Sequence, residues 1–398
     1  MSKCVTVYTQ AYNVENYIEQ CIKSVLSQTF EDFEWILVEN GSTDKTREII
    51  RKYAALDERI KPDYFDVNQD GFTNYYIAEK ADGRYIVKID SDDWIEPEYL
   101  EKLIAPFEDP DVDISICGAV NYEEETGRET PHEYGELDGV YSKSDIEKQF
   151  IEMRSYMGTY WGKMFRREIF CSILPDMKEI GEKLKKGDNF GGDVAFALCY
   201  LGECKKLAFV NERMYHYRIH NNSYATRTIG TNRVFSCLAL RETEHHFLHK
   251  VNAYTEQNVI MVDLLFWQNI EQLFKNIIRA DWDTDQKIKT ISEVCANKDL
   301  QLLRKEAYNS KVRTILMGDI AWCYMNAGNS KYLKNVLMLL EPDIFDSISN
   351  ETYEWMRENQ ILMSYIIMGE FDNAKRYMEE ITTGNNVDYI RELQQRMH

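Results

Sequence analysis

The chain has 398 residues, 44% hydrophobic and 29% charged, and its 67 acidic against 47 basic side chains give a formal net charge of −20. At about 150 residues per domain this length holds two or three domains, and the composition excludes a disordered chain. The acidity also excludes a nucleic-acid binder that neutralises phosphates over a broad surface, leaving room only for a local basic pocket.

The first hundred residues alternate short β-rich runs with helical periodicity, the pattern of a parallel α/β sheet. Residues 4–9 read as a strand, and Ile18, Cys21, Ile22, Val25 and Leu26 follow at helical spacing. Trp35-Ile36-Leu37-Val38 reads as a second, buried strand, with helix-start residues Ser42-Thr43-Asp44 ahead of Ile49, Ile50 and Tyr53. A helix is predicted within 72–82, then the strand 85–89 and the acidic cluster Asp90-Ser91-Asp92-Asp93. Ile114-Ser115-Ile116-Cys117 reads as a strand, 123–139 as a loop or excursion, and 159–219 shows no single period. Beyond about 230 the pattern is helical, so the expected domains are 1–230 and 231–398. In the tail, Tyr324 and Gly328 recur as Tyr365 and Gly369, which fits either plain helical packing or helical-hairpin repeats.

No apolar run approaches the roughly 20 residues that span a bilayer, and the start MSKCVTVY lacks a secretory signal region. The expected setting is the cytoplasm, compatible with the inner face of the membrane. Nine scattered cysteines without a C-x-x-C pair read as reduced, buried residues. His245, His246 and His249 read as solvated helix residues.

Ligands of an open parallel sheet bind at the carboxyl ends of its strands. Three polar clusters fall there: Thr9 to Asn13, Glu39 to Asp44, and Asp90 to Asp93. Three carboxylates in the last cluster repel one another unless a cation compensates, and Asp oxygens suit Mg²⁺ or Mn²⁺. A metal diphosphate would fit; a helix-capping turn is the plainer alternative.

The order of the motifs resembles that of the family 2 glycosyltransferases. The resemblance is carried by Tyr12-Asn13, Ser24 to Thr29 (SVLSQT) and Val38 to Asp44 (VENGSTD), and by Gly83-Arg84-Tyr85-Ile86 running into Asp90 to Trp94. Trp161 to Phe170 (WGKMFRREIF) and Met214 to His220 (MYHYRIH) extend it, so that it covers about residues 3–224. It implies a GT-A fold, Rossmann-like with a mostly parallel sheet flanked by helices, followed here by an all-helical C-terminal domain. It further implies a metal-dependent, inverting enzyme using a nucleoside-diphosphate sugar, expected to be a UDP-sugar, with Mn²⁺ or Mg²⁺. The expected acceptor is a glycan or lipid-linked glycan of bacterial surface polysaccharide or glycoconjugate.

On that resemblance Asp92 is the main metal carboxylate, Asp90 contacts the ribose or metal, Ser91 lies with them at the donor, and His220 completes the metal shell. Thr9, Tyr12, Asn13 and Glu39 hold the base and ribose, Arg218 neutralises phosphate oxygens, and Trp161 and Lys163 line the acceptor, a buried Trp under the sheet being the other reading. Asp193, in Gly191-Gly192-Asp193-Val194-Ala195-Phe196, is the candidate general base, and Asp93 a cap of the next helix. Departures are Gln10 for the usual Pro, Glu39-Asn40 for the usual Asp pair, Gln69 to Tyr76 for a segment with Arg-Asn, and Gly192 for Glu. They motivate an alternative, a catalytically weak nucleotide-sugar-binding scaffold acting through its helical tail. That tail could also pair two copies into a homodimer.

Overall fold

The computed structural model describes residues 3–69, 74–132, 137–220, 232–280 and parts of 282–304. The echoed segments around Tyr324 and Tyr365, and most of the expected helical domain, lie outside the described residues.

Ten strands form one mixed sheet: β1 (Val5–Ala11), β2 (Phe33–Asn40), β3 (Ile60–Phe65), β4 (Tyr85–Lys88), β5 (Trp94–Ile95), β6 (Val112–Glu123), β7 (Arg128–Pro131), β8 (Gly139–Ser142), β9 (Lys163–Arg166) and β10 (Lys206–Ile219). The order is β3-β2-β1-β4-β9-β6-β10-β5, with β7 added to β6 and β8 to β10. The β3-β2-β1-β4 half is parallel, β9 runs antiparallel between β4 and β6, and β6 and β10 are parallel to each other. Helices are α1 (Ile18–Leu26), α2 (Thr46–Ala54), α3 (Asn74–Lys80), α4 (Tyr99–Ile104), α5 (Ile146–Ser155), α6 (Arg167–Ser172), α7 (Leu174–Leu184), α8 (Gly192–Glu203), α9 (Arg233–Lys250), α10 (Glu256–Arg279) and α11 (Lys298–Arg304).

All eight residues of β2 are buried, as expected of an inner parallel strand covered on both faces. α1 turns Ile18, Cys21, Ile22 and Val25 inward, the face its periodicity marks. The sequence pattern missed β3 because Lys61-Pro62-Asp63 breaks any apolar run. Pro62 is tolerated because β3 ends the strand order, where one side needs no ladder donors. The stretch expected as a loop carries β7, which folds back antiparallel on β6 as a hairpin.

Contacts divide the chain into two compact units, Met1–Leu184 with Gly191–Arg227 and Glu242–Val259, and Lys185–Phe190 with Thr228–Arg241 and Ile260–His398. The first holds the sheet and every residue discussed as a site. In the second, Arg241 pairs with the buried Asp263 and Arg233 with Asp188. Seven described cysteines are all free.

Candidate active site

The carboxyl ends of β1, β2 and β4 are tied together before any ligand is considered. Asn13 takes a left-handed backbone (φ 51°), its N–H donates to Ser42 Oγ at 3.1 Å, and its Oδ1 accepts the Thr43 N–H at 2.8 Å. The Val14 and Glu15 N–H groups reach Thr46 Oγ1 and Asp44, so the β1 and β2 loops form one clasp. Gly41, at φ 75°, has the Val67 backbone 2.5 Å from where a Cβ would stand, which no other residue type tolerates. Asn40 in turn holds Asn68 and Gln69.

Two residues expected at the donor site have protein partners here. Glu39 is fully buried, and its carboxylate accepts the Ser42 N–H at 2.6 Å and pairs with Arg47. Thr9 is also fully buried and accepts the indole N–H of Trp35 at 3.1 Å. Tyr12, 37% exposed, stays open to solvent.

The acidic turn after β4 is organised by β10, whose residues lie far away in sequence. Tyr215 Oη accepts the Asp90 N–H at 3.0 Å and donates to Asp93 Oδ2 at 2.7 Å. The Arg218 N–H donates to Asp93 Oδ1 at 2.8 Å, and the Arg218 guanidinium donates to the Asp92 carbonyl at 2.8 Å and Gln20 Oε1 at 2.6 Å. His220 Nε2 stands 3.0 Å from Asp92 Oδ2. Asp93 is therefore a buried anchor of the turn, not the helix cap expected, and Ser91 is buried beside it. Arg218 is only 6% exposed, boxed by Trp94, Tyr17 and Tyr122 at 4.8, 5.0 and 5.4 Å from the ring centres. These bonds tie Arg218 to the backbone of the Asp92 turn. Tyr215 is the residue sequence reasoning missed; a tyrosine inside an aromatic strand carries no signal of its partner.

Burial, then the charge of Asp90, holds the Asp92 carboxyl above the ordinary aspartate range; burial, then Asp92 and Asp90, does so more strongly for Asp93. A cation would relieve this crowding. Among the described residues no three His, Cys, Asp or Glu side chains converge on one point. Asp92 and His220 do form a pair, and the His220 Nδ1 is buried without a partner among the described residues. One carboxylate and one imidazole would suit a divalent ion as part of its ligand set.

Asp193 opens the first turn of α8, after Gly191 at φ 79°. Solvent reaches its side chain, yet protein crowds it enough that desolvation raises its carboxyl, against which the charges of Lys88 and Lys163 work. Trp161 is 4% exposed and stacks on Tyr215 and Tyr217 at 4.5 and 5.4 Å between ring centres. Lys163 is 2% exposed, its ammonium bonded to Thr159 O, Thr159 Oγ1 and Trp161 O at 2.7, 2.9 and 3.2 Å, and burial brings it down to about 7. Trp161 and Lys163, one before and one opening β9, are both buried. A separate cavity of about 290 Å³ between α7, α8 and residues 242–250 is lined by Lys183, Cys199 and His246, and by none of these site residues.

The model of the family described as "Glycosyl transferase family 2" matches residues 6–174. The protein named "Putative glycosyltransferase EpsH" of Bacillus subtilis (strain 168) is 31% identical over 305 residues, covering 75% of this chain and 84% of EpsH. This chain belongs to the family 2 glycosyltransferases. Chondroitin synthase of Pasteurella multocida (strain Pm70) is 23% identical over 362 residues, 90% of this glycosyltransferase but only 34% of the synthase. The crystal structure of S. aureus TarS 1-349 in complex with UDP superposes with a TM-score of 0.53 at 18% identity, covering 85% of this chain and 90% of TarS 1-349. The fold is therefore GT-A. No described helix of the glycosyltransferase is long and apolar enough to cross a membrane.

Proposed function

We propose that this glycosyltransferase moves a sugar from a UDP-sugar to a hydroxyl of a glycan acceptor, with inversion, in the synthesis of a bacterial surface polysaccharide. The observation that carries the reading is the Asp92–His220 pair at the carboxyl end of β4, and Asp193 in the first turn of α8 is the proposed base. The UDP in the TarS structure and the synthase activity named for the Pasteurella relative agree with it.

Asp92 and His220 would hold Mn²⁺ or Mg²⁺, which when bound supplies positive charge against the diphosphate. The acceptor hydroxyl gives its proton to Asp193 Oδ, and the oxygen lone pair forms the new bond at the anomeric carbon. The bond from that carbon to the diphosphate oxygen breaks, its electron pair leaving with UDP. A single displacement of this kind inverts the stereocentre. Asp193 must be ionised to begin and ends protonated, so solvent access at its position serves turnover. Arg218, Tyr215 and Asp93 keep the Asp92 turn in one shape, which limits reorganisation when the donor binds. The proposed site of action is the cytoplasm. The region 231–398 is proposed as a separate helical domain.

Calorimetric titration of UDP with and without Mn²⁺, on the native chain and Asp92→Ala, tests the donor site. Binding that needs both metal and Asp92 supports it; binding indifferent to both overturns it. A donor panel then reads the sugar, and the anomeric configuration of the product reads the stereochemistry.

A further inference from the structure

Tyr17 is the residue on which helix α1 opens, its N–H bonded to the Val14 carbonyl at 2.9 Å. Ile18, Cys21, Ile22 and Val25 carry the apolar stripe of that helix into the core, but Tyr17 stays half-buried and turns toward the end of β10. Arg218 and His220, two residues apart there, both meet its ring. The ring centre lies 5.0 Å from the Arg218 guanidinium and 4.8 Å from the centre of the His220 imidazole. The Tyr17 hydroxyl donates to Glu124 Oε2 at 2.9 Å, and the Glu124 N–H donates to the Ile219 carbonyl at 3.1 Å. Tyr17, Glu124, Ile219 and His220 thus close a circuit of contacts that joins three separate segments: the start of α1, the end of β6 and the end of β10.

We propose that Tyr17 is a positioning residue for the metal site: its ring, anchored by Glu124, holds the His220 imidazole with Nε2 turned to Asp92. The inference rests on the reading of Asp92 and His220 as metal ligands given above. A histidine ligand is ordinarily oriented by a hydrogen bond from its other ring nitrogen. His220 has no such bond among the described residues, where its Nδ1 is buried without a partner. Its Nε2 faces Asp92 Oδ2 at 3.0 Å, a single contact that leaves the plane of the imidazole free to turn about it. Ring packing is what remains to fix that plane, and among the described residues Tyr17 is the aromatic ring that packs there. A phenol on two torsions could itself swing away, and the bond to Glu124 prevents this. Glu124 is steadied in turn by its backbone bond to Ile219 and by the Arg218 guanidinium, 3.9 Å from its Oε1. Since Arg218 also donates to the Asp92 carbonyl, Tyr17 touches one of the two ligands and a support of the other.

The test is the Mn²⁺ affinity of the full chain at a fixed UDP concentration, read from the electron paramagnetic resonance signal of free Mn²⁺ against a protein-free blank. It is measured on the native chain, Tyr17→Leu, His220→Ala and the double variant. Tyr17→Leu is expected to weaken Mn²⁺ binding by about 10-fold or more, the usual cost of removing the support behind a histidine ligand, and to add nothing further once His220 is alanine. Tyr17→Phe, which keeps the ring and loses its anchor, should fall between the native chain and Tyr17→Leu, and it takes the place of that variant if the leucine does not fold. Glu124→Gln, which keeps an acceptor for the hydroxyl, should retain more affinity than Glu124→Ala. Native affinity in Tyr17→Leu or Tyr17→Phe, beside a loss in His220→Ala, overturns the proposal. So does an undiminished effect of Tyr17→Leu in the His220→Ala background, which would mark a general loosening of the fold. Native affinity in His220→Ala overturns the reading of the ligand on which the proposal rests, so the two failures are distinct.

Discussion

Removing the Arg218 guanidinium separates a residue that shapes the site from one that touches the nucleotide. In Arg218→Met the Asp92 carbonyl and Gln20 Oε1 lose their donors, while the backbone bond from Arg218 to Asp93 survives. Two hydrogen bonds from a charged donor are worth about 1.5–3 kcal/mol each, and stacking of the cation on rings adds about 0.5–2. A central estimate is about 4 kcal/mol, since the methionine still fills part of the box between Trp94, Tyr17 and Tyr122. For a unit of this size, at about 2–4 °C per kcal/mol, the nucleotide-free protein should melt about 8–16 °C lower. Arg218→Lys should recover less than half of the loss, because a single ammonium cannot span both acceptors as the planar fork does. Differential scanning fluorimetry of the apo chain, paired with UDP calorimetry, reads both effects. A variant that melts within about 2 °C of the native chain but loses UDP affinity would refute this reasoning and restore Arg218 to the diphosphate.

Tyr215→Phe should destabilise by about 3 kcal/mol, since it strands the buried Asp90 N–H and Asp93 carboxyl together; urea unfolding measures it. Asp193→Ala should lower transfer by about 10²–10⁴-fold without lowering the melting temperature, because the folded site disfavours the charge that the change removes. The Asp92 carboxyl is raised in the fold, so its ionisation opposes folding above the unfolded value of about 3.9. Asp92→Asn should accordingly stabilise the apo protein at pH 7, with the gain shrinking toward zero as pH falls through the raised value to the unfolded one; melting curves across pH check the sign. If Asp92 holds the metal as proposed, metal-assisted UDP binding should weaken on acidification earlier than for an ordinary aspartate, because a carboxyl must be ionised to serve as a ligand. Glu39→Ala should cost about 2–3 kcal/mol through the stranded Arg47 and Ser42 N–H and weaken UDP binding only by loosening the loops, an effect that guanidinium melts and calorimetry together resolve.

Much of the fold was legible because it rests on local periodicity. The runs at β1, β2 and β4 and the apolar stripe of α1 announce a parallel α/β sheet, and the polar clusters after those strands mark its ligand-binding edge. The acidic turn was legible too, because charged residues at a strand end stand out against an apolar background, whereas Asp193 was singled out by the family resemblance alone. β3 was hidden by its proline and charges, and β9 and β10 by mixed aromatics and bases whose alternation has no single period.

By itself the sequence determined the class of fold, the family motifs and the residues that surround the ligand-binding edge. Only the tertiary structure decided which protein partners they meet. Glu39, Thr9, Trp161, Lys163 and Arg218 carry polar or aromatic groups suited to a substrate, and each is buried with protein partners. The reason is that a side chain's type and its place along the strand say which bonds it can make, while the partner is chosen by the fold, from a neighbouring turn as for Glu39 and Ser42 or from a strand more than a hundred residues away as for Asp90 and Tyr215 (|i−j| of 125). Pairing across such distances is set by the order of strands in the sheet, and no local period encodes it.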